Sequence, residues 1–236
     1  MRMFFLSSKL KCGSLIHFDH QESKHIAKVL RLQKGDYIQV TNGDGQLFKA
    51  QLVDDDFKAC KAQILSQIEV TKPKRPYLHL FVAPPKSKQR WEWLLEKTTE
   101  IGVDQITPII CDKSERNKID YKRSNLMLIN ALKQSQQVKI PLLNDVKLFN
   151  DVISQKQDVL QLIAHCDEDT PVYTINDFDQ PINKINILIG PEGDFTSDEI
   201  NQALKNHYFA LSLGENRLRT ETAAIVAAQI VASINQ

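Results

Sequence analysis

Two short segments of the sequence combine glycine with charged side chains in a way that suits ligand binding. The first reads Gly190-Pro191-Glu192-Gly193-Asp194-Phe195 and lies between a predicted buried strand and a predicted helix. Glycine has no Cβ, so the backbone can approach a ligand closely, and the first N–H groups of a helix are free to donate. The residue types leave two interpretations open, a ligand loop and a plain strand-to-helix turn.

The second segment, 213–222, carries two arginines and two glutamates around a predicted helix start. Both segments directly follow a predicted strand, and ligands of open α/β sheets bind outside the carboxyl ends of the strands. A ligand site built from both segments is therefore one interpretation. The alternative is a solvated charge cluster, because runs of charged residues usually face water.

Other chemistries lose their main support because their motifs are missing. The sequence has no GxGxxG after its first predicted strand, no GxxxxGK[ST], no HExxH and no GxSxG, which argues against the usual dinucleotide, ATP and hydrolase sites. The four cysteines form no CxxC pair, and His17, His20 and His25 have no Cys or carboxylate partners at metal-site spacing. We therefore expect no bound metal.

The widely spaced cysteines favour reduced thiols in a cytosolic protein, and the start of the chain favours a cytoplasmic protein with no membrane partner. Residues 1–13 include basic side chains but no uninterrupted apolar segment. No stretch of the sequence reaches the roughly 18 apolar residues that a membrane span needs.

The order of the predicted elements divides the chain into two domains. Residues 1–71 contain a short predicted helix at 23–32, with Ile26, Val29 and Leu30 on its apolar side, followed by strands and a hairpin turn at 42–45. Residues 72–76 contain two prolines and three cations and predict an extended linker. In residues 77–236, segments whose apolar residues repeat with the two-residue period of strands alternate with segments that have the 3.6-residue period of helices. This alternation predicts an α/β fold.

The elements of the second domain are predicted from periodicity and from helix caps. Ser87 and Gly102 bound one helix, whose core face includes Trp91, and Thr196 to Glu199 form a capping box flanked by Phe195 and Ile200. The predicted strands are 77–83, 106–111, 159–165, 185–189 and 208–213, and the two remaining predicted helices are 125–132 and 220–234.

Charge is distributed unevenly along the 236 residues. The whole chain carries a formal net charge of +1, but residues 1–140 carry +9 and residues 141–236 carry −8. This asymmetry favours a polyanion-binding surface on the first part.

Several segments together resemble the SPOUT-class methyltransferases that methylate N3 of a uridine in 16S ribosomal RNA, the small-subunit rRNA methyltransferase E type. The matching stretches cover nearly the whole chain: His25 to Leu32 with Gly35-Asp36, Glu96 to Val103, Ser114-Glu115-Arg116, Ile189 to Gly193, and Leu218 to Ala223. The last two stretches in combination are the most specific.

The resemblance implies a fold and a set of partners. It implies an α/β protein with a small N-terminal PUA-like, RNA-binding β-barrel (1–71) and a C-terminal α/β domain (77–236) with a deep trefoil knot. The implied protein is a homodimer that uses S-adenosyl-L-methionine as co-substrate and acts in ribosome biogenesis on 16S rRNA of the small ribosomal subunit.

The resemblance also assigns residues by position. Within the matched loops, the chemistry of the implied reaction makes Arg219 the candidate that stabilises the uridine anion and makes Glu192 and Glu221 candidates for the base; Glu192 could instead complement the sulfonium charge. The implied cofactor-binding residues are His165, Ile189, Gly190, Glu192, Gly193, Leu213, Gly214, Asn216, Leu218, Arg219 and Thr220. The excess of cations in residues 1–140, rather than the resemblance, makes Lys24, Lys28, Arg31, Lys86, Arg90 and Arg116 the candidate RNA-binding residues, with a solvated surface as the alternative for each one.

The sequence departs from the family pattern at a few positions. Two residues, Glu215 and Asn216, lie where the family usually has one, so Arg217 comes one position later than the arginine of the family pattern. Gln137 occupies a position where the family usually has arginine, and Asp194 occupies one where a third glycine is common. These departures keep two alternatives open: a noncatalytic RNA-binding or ribosome assembly factor with the same fold, and a SPOUT methyltransferase that acts on another RNA.

Overall fold

A computed structural model describes residues 2–71, 73–155, 158–166, 170–179 and 181–234. The chain forms two compact units. The first unit consists of Met1–Lys72 with Leu132–Ile140, and the second unit consists of Pro73–Ala131 with Pro141–Gln236. Residues 132–140 thus belong to the first unit although they lie beyond the predicted linker.

The first unit is built around a five-stranded sheet. Its strands are β1 (Met3–Phe5), β2 (Leu15–His17), β3 (Tyr37–Thr41), β4 (Leu47–Asp54) and β5 (Lys61–Ile68), in the order β1-β3-β4-β5-β2. Only the β1–β3 pair is parallel among these. Phe48, Ala50 and Leu52 of β4 are buried at every second position, as expected for a strand with one face on a core.

The hairpin predicted at residues 42–45 is confirmed between β3 and β4. Gly43 has φ +81° and Gly45 has φ +95°, conformations that favour glycine over residues with a side chain. A Cβ on Gly43 would lie 3.0 Å from Ile140 Cγ2. Both conformation and space therefore require glycine at position 43.

The helix predicted at 23–32 was placed wrongly. Helix α1 (His20–Lys24) begins after Asp19, whose side chain accepts from the Glu22 amide at 2.7 Å, and it continues as a π-helical turn over His25–Val29. The wider π turn changes which residues share a face. Ile26 is fully buried as predicted, but Val29 is 64% exposed.

The second unit contains a parallel sheet of seven strands. Its main path runs β12-β10-β11-β6-β7-β8, and β9 pairs with β7 outside this path. The strands are β6 (Tyr77–Val82), β7 (Gln105–Ile110), β8 (Leu142–Leu143), β9 (Lys147–Leu148), β10 (Leu160–Ala164), β11 (Lys184–Ile189) and β12 (Phe209–Ala210). The central strands are buried along most of their length, which is typical of parallel sheets.

Five α-helices accompany this sheet in the described residues. They are α2 (Lys88–Ile101), α3 (Tyr121–Ser135), α4 (Phe149–Ile153), α5 (Ser197–Lys205) and α6 (Thr220–Ala232). Helices α2 and α5 begin at the predicted caps, and α4 was not predicted. Ser87 caps α2, and Gly102 ends it with φ +102°. The capping box of α5 is confirmed, since Thr196 and Glu199 make both reciprocal hydrogen bonds.

Two other predicted elements differ in extent. Helix α3 starts at Tyr121 rather than 125, because the Asp120 carboxylate accepts from the Arg123 amide and caps the added turn. The strand predicted at 208–213 is limited to Phe209–Ala210. It pairs with β10 over two positions, and the next residue, Leu211, forms an isolated bridge with Tyr173. The chain then leaves the sheet, and residues 212–219 form a loop.

Helix α6 packs against α2 through small side chains. Ala224, Ala227 and Ala228 are buried, and this lets the helix also approach β6 and β11 closely. Among the helices in the described parts of the chain, none has the length and apolar character needed to span a bilayer.

Candidate active site

Three loops at the carboxyl ends of neighbouring strands enclose a cavity in the second unit. The loops follow β10, β11 and β12, and the cavity has a volume of about 650 Å³. We call it the loop cavity. Its place at the carboxyl edge of a parallel sheet is where ligands of such sheets bind, and its volume lies in the range of small-molecule sites.

Most of the predicted cofactor-binding residues line this cavity. They are His165, Ile189, Gly190, Glu192, Leu213, Gly214, Asn216, Leu218, Arg219 and Thr220. Gly193 was predicted but is not among the lining residues; its carbonyl accepts from Lys113 Nζ at 2.9 Å.

The cavity also contains residues that the sequence did not assign to the cofactor. They are Arg90, Ala164, Cys166, Pro191, Asp194, Leu211, Glu215, Arg217 and Ala223. All but Arg90 lie within three positions of a predicted cofactor residue, so a wider window around each loop would have included them. Arg90 comes from α2, and no local signal in the sequence connects it to the three loops.

The loop after β11 has a compact backbone. A Cβ on Gly190 would lie 3.1 Å from the Phe195 ring and 3.2 Å from the Phe195 nitrogen, so a larger residue would push the loop out of place. Asp194 has φ +60°, a left-handed conformation that aspartate tolerates better than most residues. Glycine also adopts this conformation readily, and it is the residue that the family pattern commonly has at this position.

Hydrogen bonds tie the three loops to one another. Asp194 Oδ2 accepts from the Cys166 amide at 2.9 Å, which joins the loops after β10 and β11. Thr220 Oγ1 donates to the Gly190 carbonyl at 2.9 Å in a buried contact, which joins the loops after β11 and β12. These two hydrogen bonds join all three loops of the cavity wall.

Charged side chains of both signs line the loop cavity. The cations are Arg90, Arg217 and Arg219, and the anions are Glu192, Asp194 and Glu215. Such a site can stabilise a developing anion with a guanidinium and a positively charged ligand with a carboxylate. Glu192 is exposed, and its Oε1 accepts from the Lys86 amide at 3.0 Å, which leaves Oε2 available for a ligand.

Glu221, predicted as a catalytic residue, lies outside the residues that line the cavity. It is only 5% exposed, its Oε1 lies 3.5 Å from Arg90 Nε, and its Oε2 has no hydrogen-bond partner among the residues that the structure describes. Glu221 therefore meets the cavity through Arg90.

Cys166 is the one thiol on the cavity wall among the described residues. Burial and the nearby Asp194 carboxylate raise the pKa of Cys166 above its ordinary value. The thiol therefore stays protonated near neutral pH, and a protonated thiol is a poor nucleophile. Within the described residues, no group of three or more His, Cys, Asp or Glu side chains is arranged to hold a metal ion.

The predicted RNA-binding residues fall into both units. Lys24, Lys28 and Arg31 are exposed in the first unit, where Lys28 Nζ lies 4.8 Å from the centre of the Phe57 ring. Lys86, Arg90 and Arg116 lie in the second unit. Of the two tryptophans, Trp91 is buried in the core as predicted and Trp93 is 43% exposed.

The parallel sheet and its loop cavity define the second unit as an α/β ligand-binding domain of the kind that carries enzyme active sites. Residues 72–232 match a family model described as RNA methyltransferase domain, and residues 18–65 match one described as RNA methyltransferase PUA domain. The chain belongs to this RNA methyltransferase family.

Known relatives are similar over nearly the whole chain. A crystal structure of a probable rRNA-methyltransferase from Porphyromonas gingivalis is 36% identical, with a TM-score of 0.88 over 97% of this chain and 96% of that one. Ribosomal RNA small subunit methyltransferase E from Neisseria gonorrhoeae, bound to S-adenosyl methionine, is 25% identical, with a TM-score of 0.87 over 97% and 95%. The protein of that name from Mesomycoplasma hyopneumoniae is 33% identical over 70% of this chain and 73% of its own.

Proposed function

We propose that this protein transfers a methyl group from S-adenosyl-L-methionine to N3 of a uridine in 16S ribosomal RNA of the small ribosomal subunit. The observation that carries the proposal is the loop cavity, where three loops of the RNA methyltransferase domain bring charged side chains together. Relatives named ribosomal RNA small subunit methyltransferase E support the choice of substrate.

The loop cavity fits the co-substrate in size and chemistry. Gly190 and Gly214 keep the walls free of side chains at two points, and Leu213 and Leu218 offer apolar surface for an adenine ring. Exposed backbone groups in the same loops can bind the ring edge. A relative with S-adenosyl methionine bound supports this assignment.

Different side chains at the cavity have different roles in the reaction. S-adenosyl-L-methionine supplies the methyl group, whose bond to sulfur breaks as its bond to N3 forms. Arg219 stabilises the negative charge that develops on the uridine, and Glu192 accepts the N3 proton. Glu221 orients Arg90 so that a second guanidinium faces the target base.

RNA binding is assigned to cations of both units. Residues 1–71 act as the PUA-like RNA-binding domain, closed as a small barrel, with Lys24, Lys28 and Arg31 on its surface. Residues 77–236 act as the methyltransferase domain, with Lys86, Arg90 and Arg116 contacting RNA. Contacts to phosphate supply affinity and orientation rather than sequence preference.

The proposal also includes a trefoil knot and a cytoplasmic location. The loops after β11 and β12 thread the trefoil knot of the SPOUT class.

The proposal further includes a homodimer. Trp93 and Leu126, 43% and 46% exposed on α2 and α3, are apolar surface that a second copy would cover. Sedimentation at micromolar concentration tests the dimer, and a monomer would contradict it.

A transfer assay tests the proposed activity. Labelled S-adenosyl-L-methionine is incubated with the protein and with small ribosomal subunits from cells that lack it, and the RNA is then digested to nucleosides. Labelled 3-methyluridine is the expected product. Another labelled nucleoside would contradict the uridine-N3 assignment, and tight co-substrate binding without transfer would favour a noncatalytic binding factor.

A further inference from the structure

A second cavity in the second unit lies beside the start of α2. Its volume is about 470 Å³, and it is lined by Lys86, Lys88, Glu115, Arg116, Asn117, Lys118, Ile119 and Asp120. Four of these side chains are cationic and two are anionic. We call it the basic cavity, and its excess of cations favours an anionic ligand.

The start of α2 adds to the positive potential of the basic cavity. A helix N-terminus favours acidic side chains because of the helix dipole, yet the first turn of α2 contains none. Lys88 instead occupies the first helical position, and Lys86 lies just before the capping Ser87. Lys86 and Lys88 therefore add positive charge at the positive end of the helix dipole.

Arg116 supplies a directional donor in the same cavity. Its Nε donates to the Lys118 carbonyl at 3.0 Å, and its Nη1 is buried with no hydrogen-bond partner in the described part of the chain. Burial also lowers the pKa of Arg116, although a guanidinium stays charged at any physiological pH. A buried donor without an acceptor is unfavourable, and an oxygen of a bound anion would remove that cost.

Lys86 connects the basic cavity with the loop cavity. Its backbone amide donates to Glu192 Oε1 at 3.0 Å on the side of the loop cavity. Its Nζ lies 2.6 Å from Glu115 Oε2, and both of these residues line the basic cavity. A polymer with an anionic backbone could place a backbone group in the basic cavity and a separate group in the loop cavity.

We infer that the basic cavity binds a backbone phosphate of the RNA substrate, next to the nucleotide whose base enters the loop cavity. Arginine and lysine suit this ligand because guanidinium groups match phosphate oxygens in pairs and ammonium groups add point charge. The inference rests on the proposed function, since it takes RNA as the polymer. The phosphate would hold the target nucleotide in register with the methyl donor.

Salt dependence of RNA binding tests the phosphate contact. Affinity for small-subunit ribosomal RNA is measured over a range of salt concentrations for the wild type, Lys118→Gln, Arg116→Gln and the control Lys205→Gln, an exposed lysine at the end of α5. One lost phosphate contact lowers the slope of log affinity against log salt by about 0.7 to 0.9. We expect this change, with a loss of about 3- to 10-fold in affinity, in the two cavity variants and not in the control.

Several outcomes would overturn the inference. The inference is wrong if both cavity variants keep the affinity and the salt slope of the wild type. It is also wrong if they bind RNA more weakly with an unchanged slope, because a lost phosphate contact would change the slope. Arg116 is partly buried, so the exposed Lys118 provides the variant whose folding is not in question. Co-substrate affinity, measured in parallel, reports whether each variant keeps its loop cavity intact.

A chemical change in the RNA locates the phosphate. A short RNA is prepared with a neutral methylphosphonate beside the methylated uridine, and it is compared with the unmodified RNA. We expect the neutral linkage to weaken binding to the wild type and to Lys205→Gln but to have little further effect on Lys118→Gln. Equal weakening in all three would place that phosphate elsewhere. If the wild type transfers no methyl group, the proposed function fails, while the salt slopes still decide the phosphate contact.

Discussion

Glu221 is buried directly behind Arg90, with Oε1 3.5 Å from Arg90 Nε. The two residues come from the starts of α6 and α2, which pack against each other. Arg90 is the member of the pair that lines the loop cavity. The carboxylate can therefore fix the direction of the guanidinium without contacting a ligand itself.

Replacing Glu221 with glutamine should lower kcat by about 10-fold or more, since a misdirected guanidinium stabilises the transition state poorly. KM for the co-substrate should change less than kcat. In a double-mutant cycle, Arg90→Gln combined with Glu221→Gln should be no less active than Arg90→Gln alone. Fully additive losses would show that the two residues act independently.

Replacing Arg219 with glutamine should reduce kcat by about 10²- to 10³-fold, the range seen when one charge-stabilising donor is removed. RNA affinity should remain within a few-fold of the wild type, because a single exposed cation contributes little to the whole RNA interface. Arg219→Lys, which keeps the charge, should retain more activity. Equal kcat values for wild type and Arg219→Gln would remove Arg219 from the mechanism.

Replacing Thr220 with valine removes the buried hydrogen bond from Thr220 Oγ1 to the Gly190 carbonyl. The loss of such a bond costs about 1 to 3 kcal/mol, and we expect co-substrate binding to weaken by at least 5-fold because the two loops are no longer joined. Calorimetric titration measures this change. Thr220→Ser keeps the hydroxyl group and should bind nearly as the wild type does; equal weakening in both variants would contradict the role of the bond.

Replacing Thr196 with alanine tests stability away from the site. Thr196 Oγ1 accepts from the Glu199 amide at 3.2 Å and caps α5, and removal of such a cap costs about 1 kcal/mol. We expect a melting temperature lower by a few degrees with methyl transfer intact. Ser197→Ala, at the exposed next position, serves as control and should change the melting temperature less.

Acid should destabilise the protein through His79. Burial, assisted by the cations Lys184 and Lys147, lowers the pKa of His79 to about 3, and its Nε2 lies 2.7 Å from Thr107 Oγ1. In the unfolded chain this histidine is protonated below about pH 6.5, whereas in the folded protein it stays neutral until about pH 3. The free energy of unfolding therefore falls as the pH drops from about 6.5 towards 3. The slope is at most about 1.4 kcal/mol per pH unit.

Unfolding by denaturant at pH 7 and pH 5 measures this effect. The wild type should lose about 2 kcal/mol more stability between these two pH values than His79→Gln, which cannot titrate. Glutamine can still hydrogen-bond to Thr107. The same pH dependence in both proteins would mean that folding does not lower the pKa of His79.

Local signals explain what the sequence predicted well. The bounds of α2 followed from Ser87 and Gly102, and the start of α5 followed from the capping box, because each cap is formed by residues within one turn of the helix end. The cofactor residues were assigned from the family resemblance, which short contiguous motifs carry, and the structure brings most of them together at the loop cavity.

Contacts between distant parts of the chain explain what was missed. Strands β1 and β2 have three residues each, too few for a periodic pattern, and they form because β3 and β5 offer edges to pair with. Val29 was misplaced because a π turn has a different period from the assumed helix. Arg90 was not predicted as a residue of the loop cavity, because its partner there, Glu221, lies far along the chain.

The division of residues between the two units has a consequence for any attempt to separate them. The chain passes from one unit to the other three times, after residues 72, 131 and 140. A protease cut at residues 74–75 would leave a first fragment without its segment 132–140, where Thr41 Oγ1 otherwise donates to the Val138 carbonyl. We expect the two fragments to copurify and to complement each other, whereas neither expressed alone would be a complete folding unit.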